Sequence, residues 1–381
     1  MKELLGQAVE ELRALVAIDT RNPPRKIGLA GTADGELVSY LTSRLTAAGM
    51  RVSVRDEGQG CVSVLAERGS PRVLFNVHLD TVPSGSTWTA DPLVLRTIDD
   101  DVATDRIAYP GMVFSRRYAG LGTCDIKGAA ACLIALAATT PHDLALLFTT
   151  DEEAGPGLCV KAFLDGWVDG PRAYELVVVG EPTRLQAVVA HRGIGSALGV
   201  FPGVAGHGSH ARALADSAVH GGVRWASRAL AFAEAEESIA MGGLTGVRFN
   251  LGVLSGGAKS NVIADRCEAR FGVRPRPGES PADLVARITA LAPPDVQWTT
   301  TFSGPSLARS PIAVEKARAL GIAESPAVDY WTEAALFAER GLPVFVFGPG
   351  DIAQAHAADE WVSAADLEAA LAVYARIVSA P

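Results

Sequence analysis

The sequence predicts an α/β fold on a mostly parallel sheet, interrupted by a smaller inserted α+β domain of ferredoxin-like order. Four short apolar runs, VLFNV at 73–77, ALLFTT at 145–150, ELVVVG at 175–180 and PVFVFG at 343–348, read as strands buried on both faces. Helical stretches separate them, notably IKGAAACLIALAATT from Ile126 and GLCVKAFLDGW from Gly157, so strand and helix alternate. Residues 186–299 follow a different order, of strands and helices that do not alternate singly.

Taken in order, the first residues carry Leu4, Val9, Leu12, Leu15 and Val16 at helical spacing among charges. They predict an amphipathic helix and not a signal peptide. The RNPP turn at Arg21 to Pro24 breaks the chain, and Asp34 is placed to cap a second helix carrying Leu37, Leu41 and Leu45 before Gly49. In the middle segment a long strand is expected over 187–201 and a helix over 216–236. Strands at 248–254 and 265–273, a helix after Pro281 and a strand near Val296 follow. The expected division is 1–185 with 300–381 as one domain and 186–299 as the insertion, with hinges at Pro182 and Gly304-Pro305.

The 381 residues, 48% of them hydrophobic, suffice for a full core and two domains. A net charge of -9, with no dense Lys/Arg run, argues against nucleic acid as a partner. No segment reads as a membrane span. The five cysteines form an odd set without CxxC spacing, which argues against a disulfide framework or a thiolate metal site and fits a reducing cytoplasm.

The placement of histidines and acids is the most informative pattern. His78 and Asp80 follow the first apolar run, Asp151, Glu152 and Glu153 the second, and Glu181 the third, while His356 lies in the loop after the fourth. Asp125 opens a helix. Imidazoles with carboxylates suit zinc or another first-row divalent ion. In HLD, residues two apart on extended chain point the same way, so Asp80 is placed to orient the His78 ring. A lone HxD, a DEE after a strand or a GEP loop is commonplace without function; their joint order is not.

HLDTVP, GLGTCDIKG, TTDEEAG, VVGEPT and GPGDIAQAH resemble the ordered motifs of the two-metal deacylase and exopeptidase family that includes acetylornithine deacetylase, succinyl-diaminopimelate desuccinylase and aminoacylase. The resemblance spans nearly the whole chain. It implies hydrolysis of the acyl amide of an N-acyl amino acid by two divalent ions, zinc or alternatively cobalt. It further implies that Asp125 bridges them, with Glu153 and His356 completing one site and His78 and Glu181 the other, and that the peptide after Asp125 is cis. Glu152 would be the general base.

The same resemblance makes the inserted domain a lid and dimerisation domain. His207, in GVAGHGSHA, would reach the active site of the partner subunit, so the protein would be a homodimer. Asn261, Arg274, Thr332 and Gly350 match substrate-contacting positions, and Gly272 departs from the Asp of many relatives. DYWTEAALF followed by GPGDIAQAHAADEWV resembles the C-terminal signature of the arginine-biosynthesis deacetylases, and TRNPPR, AHRGI and GGLTGVRFN narrow the resemblance to the N-acetylcitrulline deacetylase branch, which implies N-acetyl-L-citrulline as substrate, with N-acetyl-L-ornithine second.

Other readings fit less well. GPGDIA at 348–353 satisfies a dinucleotide pattern, but Asp351 would crowd a pyrophosphate and too little chain follows for a βαβ unit. GVLSGGAKS departs from a phosphate-binding loop at Ala258, and no GxSxG serine motif occurs. The segment 99–120, with Arg106, Tyr109, Arg116, Arg117 and Tyr118, reads as a surface insertion, or alternatively as part of the site mouth.

Overall fold

The computed structural model describes residues 1–23, 35–98, 116–153, 157–167 and 174–380. In chain order their strands are β1 (Arg51–Gly58), β2 (Cys61–Arg68), β3 (Val73–His78), β4 (Arg96–Ile98), β5 (Arg117–Ala119), β6 (Leu144–Thr149), β7 (Leu176–Val179) and β8 (Ile194–Pro202). Then come β9 (Gly206–His207), β10 (Ala240–Met241), β11 (Leu244–Thr245), β12 (Arg248–Gly256), β13 (Val262–Ile263), β14 (Arg266–Arg274), β15 (Gln297–Gly304), β16 (Val344–Val346) and β17 (Trp361–Ser363).

The chain forms two compact units, one of Met1–Val189, Ser310–Ser325 and Thr332–Pro381, the other of Ala190–Arg309 and Pro326–Trp331. In the first, a six-stranded sheet runs β1-β2-β6-β3-β7-β16. Its strands β6, β3, β7 and β16 are mutually parallel, and β2 joins β6 antiparallel. These four are the apolar runs read as strands; every residue of β6, β7 and β16 is buried. The helix Gly128–Thr139 packs against the helices Lys2–Ala17 and Ala364–Ser379. Its residues 128–137 are all buried, which explains why its apolar side chains run round the whole circumference. A three-stranded sheet, β17-β5-β4, completes the unit's strands.

The second unit is a four-stranded antiparallel sheet, β12-β14-β8-β15, with the helices Ala218–Glu236 and Pro281–Thr289. Its core gathers Phe201, Trp225, Phe271, Leu284 and Ile288. The strand expected to start at 187 starts at Ile194, and β15 continues to Gly304, past the expected limit at 299, because it pairs with β8 as far as Gly304 opposite Ile194. Among the described residues, no helix is long and apolar enough to cross a membrane. Asp34 and residues 99–115, with Arg106 and Tyr109, lie outside the described residues.

Candidate metal centre

In a parallel sheet the carboxyl ends of the strands share one edge, and the loops leaving them meet there. β3 ends on His78, opposite Thr149 at the end of β6. Asp151 to Glu153 follow β6, Glu181 follows β7, and the loop after β16 carries His356. Asp125 arrives from a turn, Thr123–Lys127, whose backbone at Asp125 (φ -118°, ψ 87°) and Ile126 (φ -143°, ψ 30°) is not helical. The Asp125–Ile126 peptide is cis. Gly122 enters this turn at φ 78°, and a side chain there would meet Thr81 Cγ2 at 2.7 Å, so glycine is required on both counts.

The five expected ligands fall into two groups, His78 with Asp125 and Glu181, and Asp125 with Glu153 and His356; within each group the ligand atoms lie within 4.8 Å of one another. Asp125 belongs to both. Its Oδ1 is 3.1 Å from His78 Nε2, which is 3.7 Å from Glu181 Oε1. Asp125 Oδ2 is 3.4 Å from His356 Nε2, and that nitrogen is 3.0 Å from Glu153 Oε1. His356 holds a left-handed backbone, φ 60°, uncommon for a residue with a Cβ.

Burial would raise the Asp125 carboxyl, but hydrogen bonds from His356 and His78 overcome it and hold the group below the usual range. Burial pushes Glu181 and Glu153 up, and the Asp125 charge adds to this. The His356 imidazole is pushed up to about 10 by its hydrogen bonds to Asp125 and Glu153. A set of two imidazoles and three carboxylates without sulfur, of which His78, Asp125 and Glu181 are buried, Glu153 is half-buried and His356 is exposed, is the donor chemistry of two divalent ions of zinc type. Such ions would supply the positive charge that these acids otherwise draw from protonated histidines.

Glu152 is half-buried beside this pair of groups. Burial raises its carboxyl well above the usual range, and the charges of Glu153, Asp125 and Asp80 act in the same direction. Asp80 is buried, and His78 Nδ1 lies 3.0 Å from its main-chain oxygen and 3.5 Å from its Oδ1. The Asp80 carboxylate also accepts from Asn22 Nδ2 at 2.9 Å and from the main-chain nitrogens of Glu153 at 3.0 Å and Glu152 at 3.3 Å. It thereby fixes the backbone carrying Glu152 and Glu153 as well as contacting the ring.

The second unit holds His207, Asn261 and Arg274. His207 pairs across β9 and β13 with Val262, and the next residue, Gly208, donates to the Asn261 carbonyl at 2.7 Å. Both side chains are exposed, and His207 Nδ1 lies 2.7 Å from the Ser209 hydroxyl. Arg274 ends β14 out of phase with the buried Phe271 and Val273, on the face opposite the core. In the first unit Thr332 is buried, its hydroxyl accepting from Ala334 N at 3.2 Å. Gly350 has φ 87°, and a Cβ there would stand 2.5 Å from Cys124 Sγ.

Three buried residues escaped the reading of the sequence. Asn22 lies in TRNPPR and serves Asp80. Glu333, pushed up to about 8 by burial and the nearby Asp151 charge, bonds the Thr149 hydroxyl at 2.9 Å. Glu360, four residues beyond His356, accepts from the turn that carries Asp125. Lys127 opens the helix after that turn; burial lowers its ammonium to about 7 against the opposing charges of Glu360 and Asp19, and it donates to the Ile18 carbonyl at 3.1 Å.

The chain is similar to known proteins along its whole length. N-acetyl-L-citrulline deacetylase of Xanthomonas campestris pv. campestris is 44% identical, over 100% of this chain and 99% of its own length. Acetylornithine deacetylase of Myxococcus xanthus is 30% identical over 100% of this chain and 98% of its length. The crystal structure of a tripeptidase from Staphylococcus aureus shares the fold, with a TM-score of 0.72 at 17% identity, covering 98% of this chain and 97% of that one. The pattern of peptidase family M20/M25/M40 matches residues 74–380, and the chain belongs to that family.

Proposed function

We propose that this chain hydrolyses the N-acetyl amide of N-acetyl-L-citrulline, releasing L-citrulline and acetate, with two divalent ions, zinc in the first place and cobalt as the alternative. The observation that carries the reaction type is the pair of ligand groups joined through Asp125, with Glu152 beside them. His78, Asp125 and Glu181 would hold one ion and Asp125, Glu153 and His356 the other. When bound, two such ions polarise an amide carbonyl and lower the pKa of a water between them.

Glu152 takes the proton of the attacking water and delivers it to the departing α-amine. Burial and the neighbouring acids raise its affinity for that proton. Asp80 positions Glu152 through the main chain and His78 through the ring. Asn261 and Arg274 take the substrate carboxylate, Arg274 with its planar fork, and Thr332 and Gly350 line the substrate. His207 donates to the developing oxyanion from the partner subunit, which makes the working form a homodimer. The five free, buried cysteines fit the cytoplasm, where arginine biosynthesis would take place.

The substrate rests on the 44% identity to a full-length N-acetyl-L-citrulline deacetylase; N-acetyl-L-ornithine is the alternative, on the 30% relative. Measuring kcat/KM on the two acetylated amino acids decides between them. Preference for N-acetyl-L-citrulline is expected, and an equal or reversed preference overturns the assignment.

A further inference from the structure

We propose that Glu360 is a positioning residue for Asp125, clamping the main chain of the turn so that the two carboxylate oxygens face separate ligand groups. This rests on the metal-centre reading above. Glu360 is 2% exposed. Its Oε1 accepts from the main-chain nitrogens of Cys124 and Asp125, each at 2.8 Å, and its Oε2 from that of Gly122 at 2.8 Å. Its own carbonyl accepts from Gly120 N at 3.0 Å and from the Thr123 hydroxyl at 3.1 Å. Donors from Gly120 to Asp125 therefore converge on one residue.

The need follows from the turn's conformation. Asp125 and Ile126 depart from helical geometry, and a buried N–H without an acceptor costs as much as a lost hydrogen bond. The two oxygens of one carboxyl group carry enough lone pairs to serve several such donors at once. Placing one near Asp125 is otherwise unfavourable, because like charges repel at low dielectric. One of the clamped atoms is the Asp125 nitrogen, a single bond from its Cα, so a shift of the turn displaces Oδ1 from His78 and Oδ2 from His356 together. Glutamine would bring an amide group against N–H donors, and aspartate keeps the charge but is one methylene shorter.

The test compares the metal-free wild type, Glu360→Gln and Glu360→Asp, each refilled with cobalt(II). Affinities of both ions are read against a chelating indicator, the visible cobalt spectrum is recorded at saturation, and folding is followed by circular dichroism. Glu360→Gln is expected to weaken both ions together by roughly 10–100-fold, the usual effect of removing a group that orients ligands, and to alter the saturated spectrum. Glu360→Asp is expected to recover part of both. A folded glutamine variant with wild-type affinities and spectrum, or one weakened at a single ion, overturns the clamp. So does failure of both variants to fold, which would make Glu360 a residue of the core. A wild type that binds no ions refutes the metal-centre reading itself, an outcome separate from these.

Discussion

Oδ1 of Asp125 lies 3.1 Å from Nε2 of His78. The second oxygen of the same carboxylate faces His356, so one side chain serves both ligand groups. Asp125→Ala is therefore expected to lose both ions together, where loss of an unshared ligand would empty one site. Elemental analysis after gel filtration reads this directly, and two ions retained per chain would contradict the shared ligand.

Glu152 contributes no atom to either group. Glu152→Gln should keep the wild-type metal content and lose turnover by roughly 10²–10⁴-fold, the usual worth of a general base. Activity near wild type in the metal-loaded variant would remove Glu152 from the mechanism.

His207→Ala should cut kcat by roughly 100-fold, about the value of one oxyanion donor, with metal content unchanged. Mixed with Glu152→Gln chains under conditions that exchange subunits, it should regain activity, since some heterodimers would carry one site with both residues intact. If mass spectrometry shows heterodimers and no activity returns, the partner subunit's His207 has no part in the reaction.

His191 reports on pH in the second unit. It is fully buried, and burial lowers its imidazole to about 4, with the hydrogen bond to the Arg192 carbonyl opposing. The folded ring stays neutral while the unfolded one protonates near pH 6.5, so the unfolded state binds the extra proton between those values. Its contribution is complete above about pH 6.5 and falls by about 3 kcal/mol as pH drops toward 4. Urea unfolding of the wild type and His191→Gln across that range should show a shallower pH slope for the variant; parallel slopes would mean that His191 is not held neutral.

The four strands that lead to the ligands were legible because each is a short, mostly apolar run, broken only by Asn76 in β3. β1 was not, since it has no fully buried residue and its half-buried Val52 and Val54 alternate with the exposed Arg51, Ser53 and Arg55. The strand expected over 187–201 is shorter in the structure, Ile194–Pro202. Residues 187–190 are apolar and buried, but they and the buried His191 make isolated bridges, such as Val188 to Val346 and His191 to Leu307, in place of a ladder. Ser217 separates two helices where one was expected from 216. Glu360 had no legible motif, because its part consists of bonds accepted from residues 235 to 238 positions away.

That separation sets an order in time. A chain emerging from the ribosome presents His78, Asp125 and Glu181 early, and on composition the first ligand group is complete once residue 181 is out. The acceptor for the Asp125 turn arrives nearly two hundred residues later, after the whole second unit and four residues after His356. Until residues 356–360 have been made, the Asp125 turn lacks its acceptor and the second ligand group lacks its histidine.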